Sequence, residues 1–230
     1  MSSESRRRIA AALSAVAEDE VAPTLCSTSA SLVGLRGAAI VVVTDGAHRV
    51  VLCSSNATAS VLEDLQTTLG EGPGIDAYRR GVPVVEDDLA HSGRSQWLAF
   101  AEPALEAGAA AVFAFPLRVG AVPLGALTFS HDRPGRLSDD QYADARTVAD
   151  VVTQVVLALQ AKAPPGMVAQ ALAAAADDAV EIHQATGMLS VRLGVTLGEA
   201  MVRLRAIAYS EGLSLAEVAR DVIARRSGRP

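Results

Sequence analysis

The chain has 230 residues, half of them apolar, and a net charge of −6, which is enough length for two modest domains around substantial buried cores. An acidic balance excludes a protein that coats nucleic acid or membrane through a general basic surface, so any contact with a polyanion has to be local. No uncharged apolar run reaches the roughly 18 residues of a membrane span, and Arg6-Arg7-Arg8 precedes no signal-peptide core and cleavage site, so a cytoplasmic protein is expected.

In chain order, an Ala-rich stretch from about Glu4 to Leu35 places Ile9, Leu13 and Val16, then Leu25, Leu32 and Val33, at helical intervals, with a break near Pro23. Two β-branched runs follow, Ala38 to Thr44 and His48 to Ser54, and Asp45-Gly46-Ala47 between them signals an antiparallel hairpin. A helix is expected over 57–69. The loop Leu69-Gly70-Glu71-Gly72-Pro73-Gly74 then has enough glycine to line a pocket. Gly81 to Glu86 reads as a short strand and Gln96 to Ala107 as a helix. Ala110 to Arg118 with Ala121 to Ser130 form a second hairpin, turning at Val119-Gly120. A capping box at Ser138-Asp139-Asp140-Gln141 starts a helix through Val148, Val151, Val152, Val155 and Leu159 to about residue 161, and Pro164-Pro165-Gly166 stops it. About five strands in hairpin-linked pairs, with helices on one face, predict an α+β domain with a mainly antiparallel sheet.

A new Ala-rich helix starts near Met167. Thr196-Leu197-Gly198-Glu199 and Ser214-Leu215-Ala216-Glu217 are two further capping boxes, so residues 181–223 read as three helices. Leu197, Ala200, Met201, Leu204 and Ala208 share one face, as do Leu215, Val218, Ala219 and Val222, and the first helix supplies Ile182, Ala185 and Leu189 to the same small core.

Cys26 and Cys53 are the only cysteines and lie outside any CxxC or Cys/His pattern, so neither zinc nor a disulfide framework is expected, but two reduced core thiols. His48, His91, His131 and His183 form no i, i+4 pair, and no metal site is predicted. The residues after His183, Gln184-Ala185-Thr186-Gly187, are unlike a kinase phosphoacceptor box.

In the C-terminal stretch, Ala185-x-Gly187-x-Leu189, then Glu199-Ala200, Leu204-Arg205 and Ala208, then Leu215-x-x-Val218-Ala219, resembles the ANTAR domain, the RNA-binding module of transcription antitermination regulators. Its motif core here would be Ala185, Gly187, Leu189, Ala200, Leu204, Ala208, Val218 and Ala219. Ahead of it, Leu69-Gly-Glu-Gly-Pro73, Asp76-Ala77, Gly81-x-Pro83-Val84, Asp88-Leu89, Phe113-x-Phe115-Pro116-Leu117 and Leu124-Gly125-x-Leu127 resemble a GAF domain of the kind found before ANTAR modules in actinobacterial proteins. The use of arginine in place of lysine everywhere but Lys162 is consistent with a GC-rich bacterial genome. The implied architecture is a GAF-like sensor domain over 1–161 with an antiparallel sheet and flanking helices, a hinge at 162–168, and an all-α three-helix ANTAR domain over 169–230.

What the resemblance implies is a regulator without catalytic residues. A GAF domain would hold a small molecule or other signal between sheet and helices, with Gly70, Glu71, Gly72 and Pro73 as the candidate pocket loop and the ligand unidentified. Gly74-Ile75 stand where related sequences often place a cysteine, and a methionine sulfoxide reductase would need a resolving cysteine in an electropositive setting. The expected partner is RNA, as tandem hairpins in nascent transcripts, bound by a homodimer and governed by the GAF domain or an upstream signalling protein. Looped-out bases are read by stacking and hydrogen bonds with arginine on phosphate. Arg192, Arg203, Arg205 and Tyr209 are the candidates, in a tail where, from residue 179 on, seven arginines face five acids. Arg203 and Arg205 flank Leu204 and point to opposite edges of their helix. Two alternatives stay open: a helix-turn-helix-like DNA-binding module, although the third helix offers the mixed charges Glu217, Arg220 and Asp221, and a protein-interaction adaptor that binds neither nucleic acid.

Overall fold

The computed structural model describes residues 7–9, 11–13, 21–44, 48–162 and 168–227. The Asp45-Gly46-Ala47 turn and the Pro164-Pro165-Gly166 stop lie outside the described residues, as does most of the stretch before Val21. Helix α1 spans Val21–Val33, with Pro23 in its first turn, where its missing N–H has no helical acceptor to lose. Strands β1 (Gly37–Thr44) and β2 (His48–Ser54) form the first hairpin. Helix α2 (Ala57–Leu69) starts on Asn56, whose side chain accepts from the Ala59 N–H, and ends on Gly70 in the left-handed region.

Helix α3 (Pro73–Arg80) occupies part of the segment expected to be loop. Its proline sits where a first-turn proline is tolerated, Asp76 lies in the first turn, and Arg79 and Arg80 lie in the last, all in keeping with the helix dipole. After β3 (Val84–Glu86) the chain forms a π-helical turn over Leu89–Gly93 and a short helical turn over Arg94–Gln96. Helix α4 spans only Ala101–Glu106, so the single helix expected from Gln96 to Ala107 is divided. The second hairpin is β4 (Ala111–Val119) and β5 (Val122–His131).

The sheet order is β2-β1-β5-β4-β3, with every neighbouring pair antiparallel. Helices cover both faces, not one. On one side α1 and α5 (Asp139–Lys162) meet Ile40, Val42, Phe113, Phe115, Leu127 and Phe129. On the other, α2, α3 and α4 cover Val112 and Ala114 with Leu62, Ala77, Trp97, Phe100 and Ala104. The alternation along β4 divides its side chains between the two cores, and β1 is likewise buried and apolar on both sides. The apolar face of α5, with Val148, Val152, Val155 and Val156, covers its own sheet. Close packing of β5 on β1 requires glycine at one point: a Cβ on Gly125 would lie 1.9 Å from the Val41 carbonyl oxygen.

The cysteines correct the sequence reading. Both lie in the core, 0% and 7% exposed, but they form a disulfide between α1 and β2 with Cα atoms 6.0 Å apart. The packing of α1 across the sheet brings together two positions 27 residues apart, a tertiary proximity that has no local sequence signal.

The tail folds as three helices, α6 (Val168–Leu193), α7 (Leu197–Glu211) and α8 (Leu215–Ser227). Thr196 and Glu199 make the reciprocal capping box at the start of α7, and Ser214 and Glu217 make the same bonds before α8. Ala185, Leu189, Ala200, Leu204, Ala208, Leu215, Val218 and Ala219 form its buried core. Leu197, expected on the inner face, is 62% exposed, because it is the first residue of its helix and lies before the turn that packs.

Candidate nucleic-acid interface

The glycine-rich loop is held by its own domain. Gly70 at φ 71° ends α2 by donating its N–H to the Gln66 carbonyl oxygen, at 2.9 Å. The Glu71 carboxylate turns away and accepts the backbone N–H groups of Ala99 and Phe100, at 2.7 and 3.0 Å, tying the loop to the start of α4. Gly72, Pro73 and Gly74 are buried, and the Gly74 N–H donates to the Gln66 side chain at 2.6 Å. A Cβ on Gly74 would lie 2.9 Å from both Gln66 Oε1 and Thr128 Oγ1, so helix and sheet are in direct contact there.

Deeper in the same layer, Gln66 Nε2 donates to Glu63 Oε1 at 2.9 Å, and Arg49 on β2 pairs with Glu63 at 3.2 Å. Glu63 is fully buried, and burial raises its carboxyl above the ordinary value while the Arg49 charge pulls it back down. Arginine, glutamate and glutamine thus form a buried polar network between α2 and the sheet, in which Arg49 Nε has no hydrogen-bond partner among the described residues. Among the described residues no group of three His, Cys, Asp or Glu could hold a metal ion.

In the trihelical unit, Arg192, Arg203 and Tyr209 are exposed. Arg192 lines an open groove of about 700 Å³ between α6 and α8, together with Gln184, Gly187, Met188, Leu189, Val191 and Val222. Gly187 opens onto this groove, where a Cβ would meet nothing within 4 Å. Arg203 follows Glu199 by one turn. The Glu199 carboxyl is lowered first by the backbone N–H and hydroxyl of Thr196 and, less, by the Arg203 charge. Tyr209, 55% exposed, stands near the end of α7.

Arg205 is placed differently. Helix α7 packs against α2, and α6 against β2, and the Arg205 guanidinium lies over Gly70. A Cβ on that glycine would be 2.5 Å from Nη1 and 2.8 Å from Cζ. Its Nε is buried with no hydrogen-bond partner among the described residues. Burial lowers this guanidinium from its ordinary value, and the charge of Arg79 adds to the effect. Two of the sequence-derived candidate groups, the pocket loop and the α7 arginine, therefore meet each other. Nothing in the sequence signalled that contact.

Comparison with known proteins decides the family. The model of the GAF domain family matches residues 15–160, and that of the ANTAR domain matches residues 170–223. The chain belongs to the GAF domain family and carries an ANTAR domain behind it. No curated protein is similar to it in sequence. Among solved structures, the GAF domain from Acinetobacter phosphoenolpyruvate-protein phosphotransferase shares 14% identity over 71% of this chain and 99% of its own, with a TM-score of 0.52. The free methionine-R-sulfoxide reductase from Neisseria meningitidis, in complex with its substrate, shares 14% over 71% of this chain and 96% of its own, with a TM-score of 0.51. At such identities the likeness is one of fold and carries no activity over to this chain. The ANTAR domain implies RNA binding, and its union with a GAF sensor domain implies signal-regulated antitermination. No helix among the described residues is long and apolar enough to cross a membrane.

Proposed function

We propose that this GAF-ANTAR chain is a non-enzymatic transcription antiterminator of actinobacterial type, cytoplasmic and acting as a homodimer, in which the GAF domain governs how two ANTAR units are presented to paired RNA hairpins. The observation that carries the reading is the exposure of Arg192, Arg203 and Tyr209 on a compact trihelical unit matched by the ANTAR model. Guanidinium groups neutralise phosphate and stack on bases, and a tyrosine ring offers a sequence-tolerant stacking surface. DNA recognition is less well supported: α8 carries Glu217 and Asp221, and its Arg220 stands 3.9 Å from Glu181. A signal bound by the GAF domain acts only through its differential affinity for two arrangements of the chain, and RNA must favour signal binding by the same factor.

The test is a substitution series in the full chain, titrated with a labelled tandem-hairpin RNA at several salt concentrations. Tyr209→Ala is expected to weaken binding by about 1–3 kcal/mol through lost stacking. Arg192→Ala and Arg203→Ala are each expected to reduce the salt slope by about one. Unchanged affinity and slope in all three variants would remove this reading of the site.

A further inference from the structure

Three of the four candidate RNA-contacting side chains face solvent, while the fourth is held by the GAF domain. We infer that the contact of Arg205 on α7 with Gly70 at the end of α2 is an autoinhibitory latch, which withholds part of the ANTAR surface from RNA until the two domains separate. The inference rests on the RNA reading given above and adds how that surface is regulated.

Geometry is the first support. The guanidinium lies where a side chain at position 70 would begin, since a Cβ there would be 2.5 Å from Nη1, and any residue with a Cβ makes the end of Arg205 move. With α7 against α2 and α6 against β2, the ANTAR domain rests on the layer that surrounds the Glu63 network. A rearrangement of α2 or of the 70–72 loop therefore moves the surface on which α7 sits.

Electrostatics is the second support, and it explains why the latch is releasable. The contact sets like charges facing each other twice. Arg79 lowers the Arg205 guanidinium, second to burial, and Glu217 raises the Asp64 carboxyl, again second to burial. The Arg205 Nε is left buried without a partner, a loss of hydration with no return in the docked state. RNA phosphate would supply the anion that the GAF surface does not. A contact optimised for permanence would carry the opposite charges at 79 and 64, so this one is suited to release.

The experiment changes the GAF side only and leaves every proposed RNA-contacting residue intact. Gly70→Asn preserves the left-handed cap, which asparagine tolerates, while placing a side chain where the guanidinium lies. Arg79→Glu gives Arg205 a carboxylate partner. Two readouts are taken on the full chain: the distance between spin labels on cysteines introduced at exposed Ser60 and Ser210, and affinity for a synthetic tandem-hairpin RNA. Gly70→Asn is expected to lengthen the distance and tighten RNA binding by about tenfold, if the docked form is favoured about tenfold in the parent chain. Arg79→Glu is expected to sharpen the short distance and weaken RNA binding.

A distance that lengthens while affinity stays level would overturn the inference, as would a distance that does not respond to Gly70→Asn. Absence of hairpin binding by the parent and both variants would instead bring down the RNA reading, and the gating with it. Unequal loss of binding with both distances unchanged would also count against the latch.

Discussion

Removal of the Arg49 charge isolates the buried Glu63 carboxylate. Two unit charges 3.2 Å apart attract by about 5 kcal/mol at an effective dielectric constant near 20, and loss of one partner from a buried pair costs about 3–5 kcal/mol. Arg49 and Glu63 side chains are 12% and 0% exposed, so little solvent screening lowers that figure. Protonation of Glu63 limits the damage. From the ordinary carboxyl value of 4.5, neutralising the group at pH 7 costs at most about 3.4 kcal/mol at 1.36 kcal/mol per unit, and less because burial already raises it in the parent chain.

Arg49→Met is therefore expected to destabilise the GAF domain by up to about 3 kcal/mol at pH 7. A carboxyl whose folded value is raised contributes stability that is fully present below its unfolded value and is lost as pH rises through the folded value. Without the Arg49 charge the Glu63 carboxyl is raised further still, so the penalty of Arg49→Met should shrink as pH falls from 7. Urea unfolding followed by the fluorescence of buried Trp97 reads it. Adding Glu63→Gln keeps an acceptor for Gln66 and should recover most of the loss and flatten its pH dependence. A pH-independent penalty, or a double variant as unstable as the single one, would refute this reasoning.

Further outcomes follow from other parts of the fold. Reduction of the Cys26–Cys53 disulfide, which spans 27 residues, should lower stability by about 3 kcal/mol, read as a lower urea midpoint with reductant than without. Gly125→Ala forces a methyl group onto the Val41 carbonyl and should cost about 3 kcal/mol or prevent folding, seen as loss of soluble protein or a depressed Tm. Thr196→Ala and Ser214→Ala should each cost about 1 kcal/mol, seen as faster hydrogen exchange in the first turns of α7 and α8. Hydrogen bonds from Thr196 and Ser214 lower the Glu199 and Glu217 carboxyls. Their capping is therefore present above the ordinary carboxylate range and lost as pH falls through the lowered values, so those turns should fray in acid.

Features governed by near neighbours were legible in the sequence. The capping boxes at Ser138, Thr196 and Ser214 depend on residues three apart, and all three form. The hairpins announced themselves through β-branched runs and turns, and their pairing gives the antiparallel sheet. Helix α3 was missed because Gly72, Pro73 and Gly74 dominated the reading, although proline at its start and Gly81 at its end were usable signals. The second layer of helices was also foreshadowed by strand runs such as Ala38 to Val43, apolar at every position. The disulfide and the seating of Arg205 on Gly70 arise only when distant elements pack. Arginine at an outward helical position reads the same whether it meets solvent, RNA or another domain.

The claim that the ANTAR domain captures looped RNA is tested most directly by one comparison at fixed salt. The full chain is titrated with a tandem-hairpin RNA and with duplex DNA of the same sequence. The account predicts saturable binding of the RNA at concentrations where the duplex stays free. Equal or stronger binding of the duplex, or indifference to both, would contradict it.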